Sequence, residues 1–244
     1  MVLFITFRKW TLVYILCLVT LVVGFALMMR KGAVVQEATF AVAGTKKAVL
    51  IIDPGHGGED GGAVASDGTV EAQINLSISI LAADLARFIG WDVCMTREDD
   101  ISIHDSDAQT LREKKVSDLK NRVALCNRVG NGVLISIHQN SLPSARSVHG
   151  AQVFYNINPG SAELAQTIQT ALNLTVNQNR NKEAKEIGDS SYLMKHVRTR
   201  AVLIECGFLS NDNETELLKN PDYQRKLAVC IIGAAVGHLS DSQK

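Results

Sequence analysis

Three short, almost unbroken apolar runs constrain this chain more than any other feature of its sequence. They are Ala48-Val49-Leu50-Ile51-Ile52, Val133-Leu134-Ile135-Ser136-Ile137 and Ala201-Val202-Leu203-Ile204. Each is β-branched and lacks apolar–polar alternation, as strands buried on both faces of a parallel sheet do. Val93-Cys94-Met95 and Ala151-Gln152-Val153-Phe154-Tyr155 are further strand candidates. Between the runs, apolar residues recur at helical steps of three and four: Ile74, Ile78, Leu81, Leu85 and Phe88; Val116, Leu119, Val123 and Cys126; Leu164, Ile168 and Leu172. A last helix opens with Asn220 as cap and Pro221 in its first turn, and buries Tyr223, Leu227, Cys230 and Ile231. Strands alternating with helices predict an α/β fold, a single domain with a mostly parallel central sheet flanked by helices.

A different signal precedes that domain. Trp10 to Met29 holds no charged residue and is bracketed by Arg8, Lys9 and by Arg30, Lys31. Its length matches the ~20 apolar residues of a membrane-crossing helix. The expected organisation is an N-terminal hydrophobic helix over residues 1–31 (signal peptide or membrane anchor), a linker over 32–45, and a globular domain over 46–244. Ala41-Val42-Ala43 resembles a processing site, but it lies well past the run, and the run exceeds a usual signal core, which favours the anchor. Positive flanks on both sides specify orientation weakly.

The whole chain balances 25 basic against 25 acidic residues. Residues 1–43 contain four of the basic and one of the acidic, so the remainder holds 21 against 24, a formal charge of −3. No Lys/Arg cluster remains to neutralise phosphates, which argues against nucleic acid as the main partner. The expected location is extracytoplasmic, secreted or anchored on the outer face of the membrane. Outside the apolar run stand Cys94, Cys126, Cys206 and Cys230, widely spaced, without a CxxC pair, each among apolar neighbours. They read as small buried hydrophobes; export permits a disulfide but the sequence does not demand one.

In open α/β sheets, ligands bind beyond the carboxyl ends of the strands. The first run leads into Asp53-Pro54-Gly55-His56-Gly57-Gly58-Glu59-Asp60-Gly61-Gly62, the second into His138-Gln139-Asn140 and the third into Glu205-Cys206-Gly207. Glu71 stands three residues before Ile74 and seven before Ile78, on the apolar stripe of its helix, where a carboxylate must be protonated, paired or metal-bound. A helix-start Glu stabilised by the macrodipole is the bland alternative. Two His and one carboxylate with an open position form the pattern of a catalytic zinc site. Zinc there polarises a carbonyl and lowers the pKa of water toward ~7. Glu205 is then available as general base. The glycine loop lacks the GK[ST] phosphate signature, and its glycines let the backbone bend so that His56 turns into the site. A Cys206 nucleophile is disfavoured, because strand alternation points Cys206 and Glu205 to opposite faces.

Together these segments, with Glu71 and Asn75, Thr96-Arg97, Ser136-Ile137-His138-Gln139-Asn140 and Glu205-Cys206-Gly207-Phe208-Leu209-Ser210-Asn211, resemble the zinc-dependent N-acetylmuramoyl-L-alanine amidases of the Amidase_3 type. The resemblance runs from about Ala48 to the C-terminus. It implies hydrolysis of the amide between N-acetylmuramic acid and L-alanine in peptidoglycan by residues 46–244 as the catalytic domain. It makes His56, Glu71 and His138 the ligands of one Zn2+, Glu205 the catalytic carboxylate, and Asn140, Arg97 and Asn75 supporting residues. Gln139 departs from the small residue common in the family and is expected in the cleft wall. Ser141 to Val148 leaves no room for the long blocking insert of larger members. The compact layout, with Tyr192-Leu193-Met194-Lys195-His196 before the last strand, is similar to the germination-specific CwlD-like group of spore formers, which acts on spore cortex toward muramic-δ-lactam. A vegetative-wall amidase, a zinc peptidase or deacetylase, and a silent wall-binding module are the alternatives. Protein partners are not specified by the sequence.

Overall fold

In the computed structural model, residues 48–178 and 180–241 are described. The expected N-terminal hydrophobic helix and linker lie outside them. In chain order the elements are β1 (Val49–Pro54), α1 (Glu71–Phe88), β2 (Val93–Met95), α2 (Leu111–Arg128), β3 (Gly132–Asn140), β4 (Gln152–Tyr155), α3 (Ser161–Thr175), β5 (Lys185–Glu186), α4 (Tyr192–His196), β6 (Arg200–Phe208), α5 (Asp212–Lys219) and α6 (Pro221–Asp241). Among the described residues no helix is long and apolar enough to cross a membrane.

The three apolar runs form β1, β3 and β6, adjacent at the centre of a six-stranded sheet of order β2-β1-β3-β6-β4-β5. Strands β2, β1, β3 and β6 run parallel, β4 is antiparallel to β6, and β5 follows β4 in parallel. Alternate side chains of each central strand enter opposite layers. Leu50, Ile52, Ile135 and Ile204 pack toward the layer containing Ile78, Ile168 and Ile231, from α1, α3 and α6. Ile51, Leu134, Ala201 and Leu203 pack with Cys126, Leu193, Met194 and Val197, from the α2 and α4 side. The expected mostly parallel α/β domain is the observed one.

Two helix faces differ from their sequence reading. On α1 the buried stripe is Ile74, Ile78, Ala82, Ala83 and Ala86, whereas Phe88 is 88% exposed. Here α1 packs against β1 and α6 together, and the alanines permit that close approach. On α2 the buried residues are Asp118, Arg122 and Cys126, with Val116 exposed. The reason is Asp53, buried near the carboxyl end of β1. It accepts from Thr96 Oγ1 (2.6 Å), Ser136 Oγ (2.6 Å) and Arg122 Nη1 (2.7 Å). Burial alone would raise the Asp53 pKa; Arg122 and the two hydroxyls outweigh it and lower the value to about 2.

Asp53→Ala is expected to lower unfolding stability by about 3 kcal/mol, because it breaks a buried pair. A depressed carboxyl pKa contributes stability above its unfolded value, near 3.9, and loses it as pH falls. Denaturant titrations should therefore show the wild-type advantage shrinking as pH falls from about 4 toward the folded value of about 2.

Candidate active site

The loop after β1 carries the first histidine. Gly55 N donates to Ile137 O at 3.0 Å, which keeps the loop in step with β3 beyond the paired residues. His56 then takes the left-handed conformation (φ 61), followed by Gly57 and Gly58, also at positive φ. The bend places His56 against His138, with ring centroids 5.0 Å apart and planes at 75°. Gly55 is required by this closeness, since a Cβ there would meet His138 Cε1 at 2.2 Å.

Glu71 opens α1, its backbone N donating to Ala63 O at 2.9 Å. The residue is 3% exposed. Oε1 lies 3.3 Å from His56 Nε2 and 3.1 Å from His138 Nδ1. It also accepts from Gln139 N (3.1 Å) and Asn75 Nδ2 (3.2 Å), while Oε2 accepts from Ala63 N (2.8 Å). The ligand-capable atoms of His56, Glu71 and His138 all lie within 4.8 Å of one another, and among the described residues this is the one such cluster. Burial works against ionisation of Glu71, but the two imidazoles outweigh it and hold the carboxyl below its usual range.

His56 Nδ1 lies 3.0 Å from Asp60 Oδ2. An ionised carboxylate only accepts, so Nδ1 carries the proton and Nε2 is left to face Glu71. Lys115 Nζ (3.1 Å) and Gly62 N (3.3 Å) hold Asp60 in turn. Burial would lower the His56 pKa, but Asp60 and Glu71 outweigh it and raise the value to about 9. Two carboxylates around one imidazole thus call for a positive charge between them. His56, Glu71 and His138 offer the two-nitrogen, one-carboxylate donor set that a divalent cation such as zinc would take.

Glu205 sits on β6 directly across from His138 in the β3–β6 register. Its Oε2 is buried without a hydrogen-bond partner. Burial pushes its pKa up to about 7, Glu71 adds to the rise, and the His138 and His56 imidazoles oppose it. Cys206, the next residue, is wholly buried in the apolar layer, and burial pushes its thiol up, away from a thiolate nucleophile. Cys94, Cys126, Cys206 and Cys230 are all free thiols; three are buried and Cys94 is half-buried.

Of the supporting residues, Asn75 donates to Glu71 Oε1 and to Gly55 O (3.1 Å). Arg97 donates to Pro54 O, Gly55 O and Ala72 O, each at 3.0 Å. Asn140 contributes through its backbone, its carbonyl accepting from Leu209 N at 2.8 Å. Gln139 does not form the cleft wall: it is buried, and its Nε2 donates to Asn75 Oδ1 at 3.1 Å. That bond holds the side chain inward, while its backbone N–H donates to Glu71. The sequence reading missed Asp60, Asp118 and Arg122. For the last two, the available signal was a charge pair at i, i+4 inside a helical stripe. His104, His149 and His196 make local contacts with Ser102, Ser147 and Tyr192, and His238 on α6 meets Thr167 on α3. Between β3 and β4, residues 141–148 carry one 3-10 turn (Pro143–Ala145).

Residues 50–236 match the Amidase_3 family, described as N-acetylmuramoyl-L-alanine amidase. The germination-specific N-acetylmuramoyl-L-alanine amidase of Bacillus subtilis (strain 168) is 36% identical over 183 residues, covering 75% of this chain and 76% of that protein. The CwlD amidase of Clostridioides difficile, solved in complex with the GerS lipoprotein, superposes with a TM-score of 0.76 at 38% identity, covering 80% of this chain and all of that one (100%). An N-acetylmuramoyl-L-alanine amidase of Clostridium difficile 630 gives a TM-score of 0.70 at 30% identity, covering 81% and 99%.

Proposed function

The chain belongs to the N-acetylmuramoyl-L-alanine amidase family of peptidoglycan hydrolases, and on that premise we propose that it is a one-zinc enzyme using His56, Glu71 and His138 as ligands and Glu205 as general base. The observation that carries this reading is the placement of Glu71 Oε1 between His56 Nε2 and His138 Nδ1, opposite a Glu205 carboxylate with an unpartnered buried oxygen. When bound there, zinc supplies a Lewis acid that polarises the scissile carbonyl and acidifies water.

The residues do the rest. Asp60 fixes the His56 ring, and Asn75 and the Gln139 amide fix the Glu71 carboxylate. Glu205 takes a proton from the attacking water as its oxygen bonds to the lactyl carbonyl carbon. It returns that proton to the L-alanine nitrogen as the C–N bond breaks, releasing a muramic carboxylate and a free stem-peptide amine. Burial in the metal-free site raises this carboxyl above the usual glutamate range, toward the pKa at which one group can both take and return a proton near neutral pH.

The similarity to the germination-specific relative supports spore cortex as substrate, and on that substrate the cleavage is a step toward muramic-δ-lactam in our reading. Residues 46–244 act as the catalytic domain outside the cytoplasmic membrane, carried there by residues 1–31. Digestion of purified cortex and vegetative muropeptides, with and without chelator, tests the reading by mass analysis. Free stem peptides that disappear with chelator are expected; released acetate or cuts within the peptide would refute it. Faster release from vegetative than from cortex material would move the substrate to the growing wall.

Gly55→Ala offers a local check. The added methyl displaces the His138 ring, so activity should fall at least about 100-fold with an unchanged circular dichroism spectrum. Wild-type activity in this variant would mean that His138 does not need its present position.

A further inference from the structure

We infer that Arg122 is a positioning residue that holds His56 in its ligating pose by gripping the His56 carbonyl from α2. The inference rests on the reading of His56 as a ligand and extends it to a group 66 residues away in the chain. Of the three proposed ligands, Glu71 lies on a helix and His138 on a strand, whereas His56 lies on a loop. A non-glycine residue at φ 61 persists only when its surroundings hold it there.

Arg122 supplies that hold. It is 2% exposed, and its Nη2 donates to His56 O at 2.6 Å while Nη1 donates to Pro54 O at 2.8 Å and Asp53 Oδ1 at 2.7 Å. With Arg97 taking Gly55 O, two guanidinium groups bind three consecutive carbonyls of the loop. Asp118 fixes the Arg122 fork through Nε (2.7 Å). Neutralising Asp53 needs only the Nη1 contact. The Nη2 bond has no such purpose, and it falls on the residue whose ring must face Glu71. A planar fork reaches all these acceptors at once; an ammonium does not.

Arg122→Lys should therefore weaken zinc binding about 10- to 100-fold in a chelator-competition titration. Activity at saturating zinc should recover most of its wild-type value. In the metal-free variant, the amide of Gly57, bonded to Asp60 O, should exchange faster. Leu164→Ala in α3 serves as a control for general destabilisation and should leave the zinc affinity unchanged. Zinc affinity in Arg122→Lys equal to wild type, or reduced no more than in Leu164→Ala, overturns the inference. Should Arg122→Lys fail to fold, Asp118→Asn keeps the guanidinium but loosens it; a several-fold loss supports the inference and no loss overturns it. A wild-type protein that binds no zinc would remove the ligand reading itself, whereas loss of zinc in Glu71→Gln beside normal binding in both Arg122→Lys and Asp118→Asn would remove only the role of Arg122.

Discussion

Glu205→Gln is expected to lower kcat on muropeptides by about 10³-fold while zinc remains bound one to one. The amide keeps the shape of the side chain but cannot take a proton from water. The proposed ligands lie on other elements, so metal content should not change. Cleavage at the wild-type rate would end the assignment of Glu205 as general base. Stability gives an independent reading. The folded pKa of Glu205, about 7, lies above its unfolded value near 4.3, so the native state favours the protonated form. The metal-free protein should lose stability as pH rises between these two values. Above pH 7 the Gln variant, which has no charge to bury, should be more stable than wild type by on the order of 2 kcal/mol.

Glu71→Gln should remove zinc altogether and with it the hydrolysis of muropeptides. Its carboxylate faces both imidazoles and is buried, so a neutral amide removes the anionic ligand between the two ring nitrogens. Metal analysis after dialysis and a muropeptide assay check this result; stoichiometric zinc in the variant would exclude Glu71 as a ligand. In the metal-free protein the substitution should also cost about 3 kcal/mol below neutral pH, because it leaves the charged His56 without its buried partner. The His56 pKa is raised to about 9, so its contribution is full below the unfolded value near 6.5 and is lost as pH rises through the folded one. The gap between wild type and variant should close over that interval.

The strands and the core of the proposed site were legible because each depends on a pattern that survives in one dimension. Continuous β-branched runs identified β1, β3 and β6, and the residues following those runs identified His56, His138 and Glu205. The position of Glu71 within the apolar stripe of α1 marked it as buried before any geometry was known. What could not be read depends on bends and on distant partners. Asp60 meets His56 only because three successive residues adopt positive φ. Arg122 and Asp118 form an i, i+4 charge pair whose burial has no stated reason until Asp53 is seen near the end of β1. Gln139 reads as a cleft residue until its bond to Asn75 turns it inward. The two exposed residues of β5, Lys185 and Glu186, carry no periodicity at all, and the reversed direction of β4 has no local signature.

The central claim is that two histidines and one glutamate hold a single zinc ion. Zinc K-edge absorption fine structure of the zinc-loaded 244-residue chain measures that ligand set directly. The account predicts one zinc per chain with two imidazole nitrogens and carboxylate or water oxygen at about 2.0–2.2 Å, and no sulfur. A sulfur shell at about 2.3 Å, or a zinc without imidazole scattering, would contradict it.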